Sequence, residues 1–313
     1  MARPKLAGYK LATYQSSDGP RAGLVIGEEV FDAAELTGKA GYATVSGILA
    51  DWKAAEDALK KAAAGAAKSR AKRQSLAKMK LLAPVPSPPT IFCAGANYAD
   101  HAAAMARKQG MPEPADPHEQ GLKPWHFIKA PPAIAGPNTA VKASKYAKEL
   151  DWEIELAAVI GRPAKDVSGK KALAYVAGYV AANDLSARDR GRRPGVEATS
   201  PFKMDWIKHK SFDGSCPIGP WIVPASDIAD PQNLGMKLWV NGMLKQDSNT
   251  RNMLFTLAEQ IEQLSINMTL QPGDLILTGT PAGTGAESGN FLKGGDVVKI
   301  WIEGIGEFSN RIA

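Results

Sequence analysis

Cysteine is almost absent from this chain: Cys93 and Cys216 are the only two in 313 residues, far apart and outside any C-x-x-C pattern. That excludes a disulfide framework and a zinc site built on cysteine pairs, and it fits a reducing cytosol. Long apolar runs are missing as well. The N-terminal MARPKLAGYKLATY has no apolar core of signal-peptide length, and no run approaches the ~18 residues of a membrane span. The expectation is a soluble, unprocessed, cytoplasmic protein with no membrane partner. No repeat of roughly 20 to 50 residues is visible, which argues against a solenoid or propeller. Acidic residues are missing from one stretch, 58–80, which holds Lys60, Lys61, Lys68, Arg70, Lys72, Arg73, Lys78 and Lys80. Its alanine content favours a helix with a solvated basic face. Aromatic interleaving and a known binding module are both lacking there, so nucleic acid is not an expected partner.

What is present is globular. Hydrophobic content is 44% and charged content 22%, and the net charge of +6 comes largely from that one basic stretch. The length supports one large domain with a small appendage. Residues 1–50 read as short strands and turns, with the basic helix after them. Pro84, Pro86, Pro88 and Pro89 then make an extended connector, because proline removes donors and restrains the residue before it. The expected division is a small N-terminal domain, 1–83, and a main domain, 84–313. In the main domain Asn241-Gly242 marks a hairpin, FTLAEQIEQLSI a helix, and residues 188–206 an arginine-rich loop.

The stretch from Lys148 to Asp189 organises the rest. In KELDWEIELAAVIG, Asp151, Glu153 and Glu155 alternate with Trp152, Ile154 and Leu156, the period of a strand with one acidic face. Neighbouring carboxylates cannot share a dry site unaided. That face therefore either encloses a cation or is the solvated side of an edge strand. Asp184 stands at the polar end of a second apolar strand, YVAGYVAAND. Three hard oxygen donors suit Mg²⁺, Mn²⁺ or Ca²⁺ better than zinc.

The company of this E-x-E is more specific than the motif itself. It runs into a buried strand and is followed by N-D-L-S-A-R-D, H-K-S-F-D-G-S-C-P-I-G-P-W and L-T-G-T-P-A-G-T-G. Upstream lies a C-x-G-x-N-Y-x-x-H segment with Cys93, Gly95, Asn97, Tyr98 and His101. This ordered set, over roughly residues 86 to 313, resembles the fumarylacetoacetate hydrolase family. The resemblance implies a mixed α+β, mainly β fold: a β-roll with a mixed, partly barrel-like sheet, usually in a homodimer. It implies Glu153, Glu155 and Asp184 as ligands of Mg²⁺ or Mn²⁺, with Ca²⁺ as an alternative, and open coordination positions for a 2-oxo acid. His101 becomes the general base, Lys210 and Arg188 neutralise substrate charge, Thr280 donates hydrogen bonds, and Tyr98 and Lys129 contact substrate.

The implied reaction is hydrolysis of a carbon–carbon bond in an acylpyruvate or 2,4-dioxo acid, fumarylpyruvate- or fumarylacetoacetate-like, through a pyruvate enolate, as in the catabolism of aromatic compounds. An isomerase or decarboxylase of related 2-oxo or 2-hydroxydienoic acids is the alternative within the same chemistry, and an impaired binding protein the alternative outside it. Two positions depart from the family pattern. Ala104 stands where short relatives carry the glutamate that orients the histidine, so Glu287, or Glu113 or Glu119 in the polar lid-like segment 106–124, is expected to replace it. Gly191 stands where several relatives have a substrate-contacting glutamine. His118, His126 and His209 are expected to be structural or exposed.

Overall fold

The computed structural model describes residues 8–197 and 199–313, so residues 5–7 of the expected first strand lie outside the described residues. Strands dominate, in large mixed sheets that stay open. The main sheet has twelve strands. Ten of them follow the path Arg73–Ser75, Glu29–Asp32, Gly19–Ile26, Lys10–Ser16, Cys216–Pro224, Val176–Asn183, Ile154–Ile160, Leu275–Leu277, Ile91–Ala94 and His126–Lys129. A second sheet of five strands is built around Gly235–Val240, Val297–Ile302 and Gly306–Ile312.

The strand Ile154–Ile160 is central, antiparallel to Val176–Asn183 on one side and to Leu275–Leu277 on the other. Its sequence IELAAVI is buried at every position, as expected of a strand covered on both faces. The solvated-edge alternative for the acidic face is thereby excluded: Glu153, Glu155 and Asp184 are 5%, 1% and 1% exposed.

Residues 8–83, expected within a small N-terminal domain, pair and pack with the residues that follow. Leu11 pairs with Ile222 across two antiparallel strands. Tyr9, Leu11, Trp52 and Leu59 pack in one apolar cluster with Ile91, Val159 and Ile218. The basic stretch also differs from expectation. Its helix runs Trp52–Gly65, followed by a single 3-10 turn, Ala66–Lys68. The chain becomes extended at Ser69 and adds Arg73–Ser75 as an edge strand beside Glu29–Phe31. Sheet pairing there outweighs the helix propensity of a short alanine-poor tail.

Local signals elsewhere agree with the sequence. Asn241 and Gly242 both have positive φ, 51° and 79°, as the tight turn between Gly235–Val240 and Met243–Asn249 requires. Helix Leu257–Asn267 opens on a reciprocal capping box between Thr256 and Glu259. The arginine-rich stretch is partly helical, with short helices Arg188–Gly191 and Trp206–Lys210, the second capped by the Asp205 carboxylate on the Lys208 amide. Among the described residues no helix is long and apolar enough to cross a membrane.

Candidate active site and metal centre

Strand register brings the acids together. Ile154 faces Asn183, so the residues just outside these two strand ends, Glu153 before one and Asp184 after the other, are held together: the Asp184 amide donates to the Glu153 carbonyl at 2.8 Å, and the Glu153 amide to Asn183 Oδ1 at 3.0 Å. One carboxylate oxygen from each of Glu153, Glu155 and Asp184 lies within 4.8 Å of the other two. They form the floor of a cavity of about 180 Å³ that is also lined by His101, Arg188, Lys210 and Thr280.

The charges on this floor are unequally answered. Lys210 Nζ donates to Glu153 Oε2 at 2.8 Å and Asp184 Oδ2 at 2.6 Å, while Lys129 Nζ donates to Asp184 Oδ1 at 2.5 Å and to the Leu185 carbonyl at 3.1 Å. Arg188 pairs with Glu153 and holds Asp151 through Nε at 2.9 Å. Burial pushes the Glu153 carboxyl up, but Lys210 and Arg188 outweigh it and hold it at about 2. Glu155 has less help, because Lys210 acts on it only through space. Its Oε2 accepts the Gly279 amide at 2.7 Å, and no ammonium or guanidinium among the described residues pairs with it. Burial, then the charges of Asp184 and Glu153, drive its carboxyl well above the usual range. An oxygen-only donor set with one buried carboxylate left uncompensated fits a divalent cation.

Across the cavity, His101 Nδ1 meets Glu287 Oε1 at 2.5 Å. Glu287 is fixed by the Gly283 amide on its Oε2 at 2.7 Å. Although burial raises it, the His101 hydrogen bond and these backbone donors hold its carboxyl below the usual value. An ionised carboxylate only accepts, so Nδ1 carries the proton and Nε2 is left as the basic nitrogen. Of the three glutamates weighed from the sequence, Glu287 is the one in contact; Glu113 pairs with Arg107 at 3.1 Å and Glu119 is exposed. The 106–124 segment is tied down through His118, whose Nε2 meets Glu259 at 2.9 Å and whose ring packs on Phe255.

Thr280 lines the cavity, its Oγ1 accepting from Gln246 Nε2 at 2.9 Å, which leaves the hydroxyl proton to donate. Two residues expected against substrate lie elsewhere. Tyr98 is 0% exposed, with its hydroxyl on Met236 Sδ at 3.2 Å in the core. Lys129 sits behind Asp184 with a fully buried side chain, so it orients a carboxylate rather than lining the cavity.

Sequence reasoning gave no role to Asp151, which accepts from the Gly285 and Ala286 amides as well as from Arg188, and so joins the Glu287 loop to the acidic floor. The alternation with Glu153 and Glu155 was its available signal. Trp125, Phe127, Trp206 and His209, which form the outer wall, carried none.

Comparison with known proteins agrees with this geometry. Residues 90–313 match the family model for the fumarylacetoacetate (FAA) hydrolase C-terminal domain. A Burkholderia multivorans protein that bears only the general name hydrolase is 44% identical over 216 residues, 68% of this chain and 70% of that one. Three solved structures each cover 97% of this chain. Maleylpyruvate hydrolase from Sphingobium sp. SYK-6, in complex with manganese(II) and pyruvate, is 30% identical with TM-score 0.72 over 98% of its own chain. The 2-hydroxyhepta-2,4-diene-1,7-dioate isomerase of Mycobacterium marinum is 32% identical with TM-score 0.70 over 98% of its chain. Fumarylacetoacetate hydrolase from Exiguobacterium antarcticum is 28% identical with TM-score 0.76 over 99% of its chain.

Proposed function

The chain belongs to the fumarylacetoacetate hydrolase family, and from that premise we propose that it is a divalent-metal hydrolase of acylpyruvates, using Mg²⁺ or Mn²⁺. The observation that carries the reading is the pairing, in one cavity, of an under-compensated acidic triad with the His101–Glu287 dyad. A cation on Glu153, Glu155 and Asp184 supplies positive charge where the 2-oxo acid end of a substrate collects negative charge.

The chain's own groups supply the rest. His101 Nε2 takes a proton from water, and Glu287 stabilises the resulting imidazolium. The hydroxide attacks the distal carbonyl of the acylpyruvate. The bond between that carbon and the pyruvyl methylene breaks, its electron pair passing to the pyruvate enolate, and the proton held by His101 returns to the methylene carbon. The products are a carboxylic acid and pyruvate. Lys210 and Arg188 add positive charge along the floor, and the Thr280 hydroxyl donates to substrate oxygen.

An isomerase of unsaturated 2-oxo acids is supported by the likeness to the Mycobacterium marinum isomerase. It requires the same floor but no activated water. Loss of β-diketone absorbance with stoichiometric pyruvate, dependent on added Mg²⁺ or Mn²⁺, is the expected result; a changed spectrum without pyruvate release would transfer the protein to the isomerase reading.

A further inference from the structure

We propose that the outer half of the cavity is a subsite for an uncharged aryl acyl group, with Trp125 as the residue that selects it. The inference rests on the acylpyruvate reading and adds the distal half of the substrate.

The cavity is divided by chemistry. Its floor holds all the charge, and its outer wall is a cluster of rings. Phe127 stacks on Trp206 with centroids 5.0 Å apart and planes at 18°, and Trp206 stacks on His209 at 5.6 Å and 26°. Trp125 meets Trp206 edge-on at 5.5 Å and keeps 45% of its surface exposed at the mouth. Two glycines make room for this wall. A Cβ on Gly95 would lie 2.0 Å from Trp125 Cζ2, and one on Gly191 would lie 2.8 Å from His209 Cγ. Each ring therefore occupies space that any other residue at those positions would fill.

No positive charge is free for a second carboxylate. Arg188 and Lys210 are the cations lining the cavity among the described residues, and each is already bound to two carboxylates. Neither ring nitrogen of His209 has a hydrogen-bond partner, and burial, then the charges of Lys210 and Arg188, push that imidazole down to about 2, so it is neutral. The nearby basic loop is engaged elsewhere. Arg193 pairs with Asp205 at 3.0 Å and Arg190 lies over the Tyr146 ring, and neither they nor Arg192 line the cavity. A distal carboxylate would have to shed its water with no free cation to pair with, whereas an aryl group would cover the exposed face of Trp125 and give up no hydrogen bond of its own.

Two measurements on the Mn²⁺-loaded protein test this. The first compares kcat/KM for benzoylpyruvate, fumarylpyruvate and acetylpyruvate. The second is calorimetric binding of two non-cleavable 2-oxo acids, 2-oxo-4-phenylbutanoate and 2-oxoglutarate. The phenyl acid is expected to bind at least about tenfold more tightly, and benzoylpyruvate to exceed fumarylpyruvate by a similar factor in kcat/KM. Trp125→Ala should erase most of both preferences, mainly through KM and Kd. Equal or tighter binding of 2-oxoglutarate, or an aryl preference untouched by Trp125→Ala, overturns the subsite. Absence of turnover for all three acylpyruvates, with the aryl preference in binding intact, overturns the hydrolase reading alone and leaves the subsite standing.

Discussion

Two sites in this molecule bury carboxylates, one acid in the first and three in the second, and they differ in balance. In the N-terminal strands, Asp32 is 4% exposed yet fully answered: Arg21 reaches both oxygens at 2.6 and 2.9 Å, the Tyr14 hydroxyl donates at 2.9 Å, and the Glu35 amide completes a helix cap at 3.0 Å. Burial raises that carboxyl, but the Arg21 pair and the amide bring it below its ordinary value. On the cavity floor the shift goes the other way at Glu155, which has one backbone donor and two negative neighbours. The lesson is that burial of acid is not by itself the mark of a site. A cluster whose charges are matched within the chain is a fastening; one left negative is waiting for something positive from outside.

The comparison breaks most sharply at the floor. Glu155→Gln is expected to lower kcat by about 10³-fold, since several kcal/mol of charge stabilisation depends on the cation it helps hold. The same change should raise the stability of the metal-free protein by about 1–3 kcal/mol, because a buried carboxyl that resists ionisation no longer has to take up a proton on folding. Turnover assays and metal-free thermal melts read the two effects separately, and a destabilised Gln variant would contradict the imbalance. Next in size, His101→Ala should cost about 10²–10⁴-fold in kcat. Glu287→Gln should cost less in kcat than His101→Ala, because the carboxylate holds the Nδ1 proton and so fixes the orientation and tautomer of the His101 ring.

Asp32→Asn tests the other side. It should destabilise the fold by about 1–3 kcal/mol in urea melts, leaving Arg21 and Tyr14 under-satisfied, and leave kcat within about twofold. The smallest effect expected is in the pH dependence of stability. Glu155 has a raised carboxyl, so the folded metal-free protein binds more protons than the unfolded chain above the ordinary value of 4.5. Its stability should fall as pH rises from there through the raised value, and added Mn²⁺ should flatten that slope. Asp32 has a lowered carboxyl, so its contribution is present above the ordinary 3.8 and is lost as pH falls through the lowered value. Melting series with Glu155→Gln and Asp32→Asn should remove the two slopes one at a time.

Much of the floor was legible before any fold was known. Strand periodicity placed Glu153 and Glu155 on one face, and the apolar run ending in Asp184 placed a third acid at the end of another strand. Turn and cap chemistry likewise announced Asn241-Gly242 and the helix after Thr256. The sequence could not say whether the acidic face was wet or dry, because that depends on which strands flank Ile154–Ile160. Nor could it separate Glu287 from Glu113 and Glu119 as the partner of His101, since the contact spans 186 residues of chain.

Residue types and their spacing thus determined which groups could do chemistry here: a set of hard oxygen donors, an imidazole, and the cations beside them. The tertiary structure alone decided how those charges balance, that Lys129 serves Asp184 from behind, that Asp151 bridges the two halves of the site, and that an aromatic wall closes its outer side. The division has a physical cause. Side-chain direction along a strand repeats every two residues and can be read locally, whereas burial and charge compensation are sums over neighbours that only long-range pairing brings near.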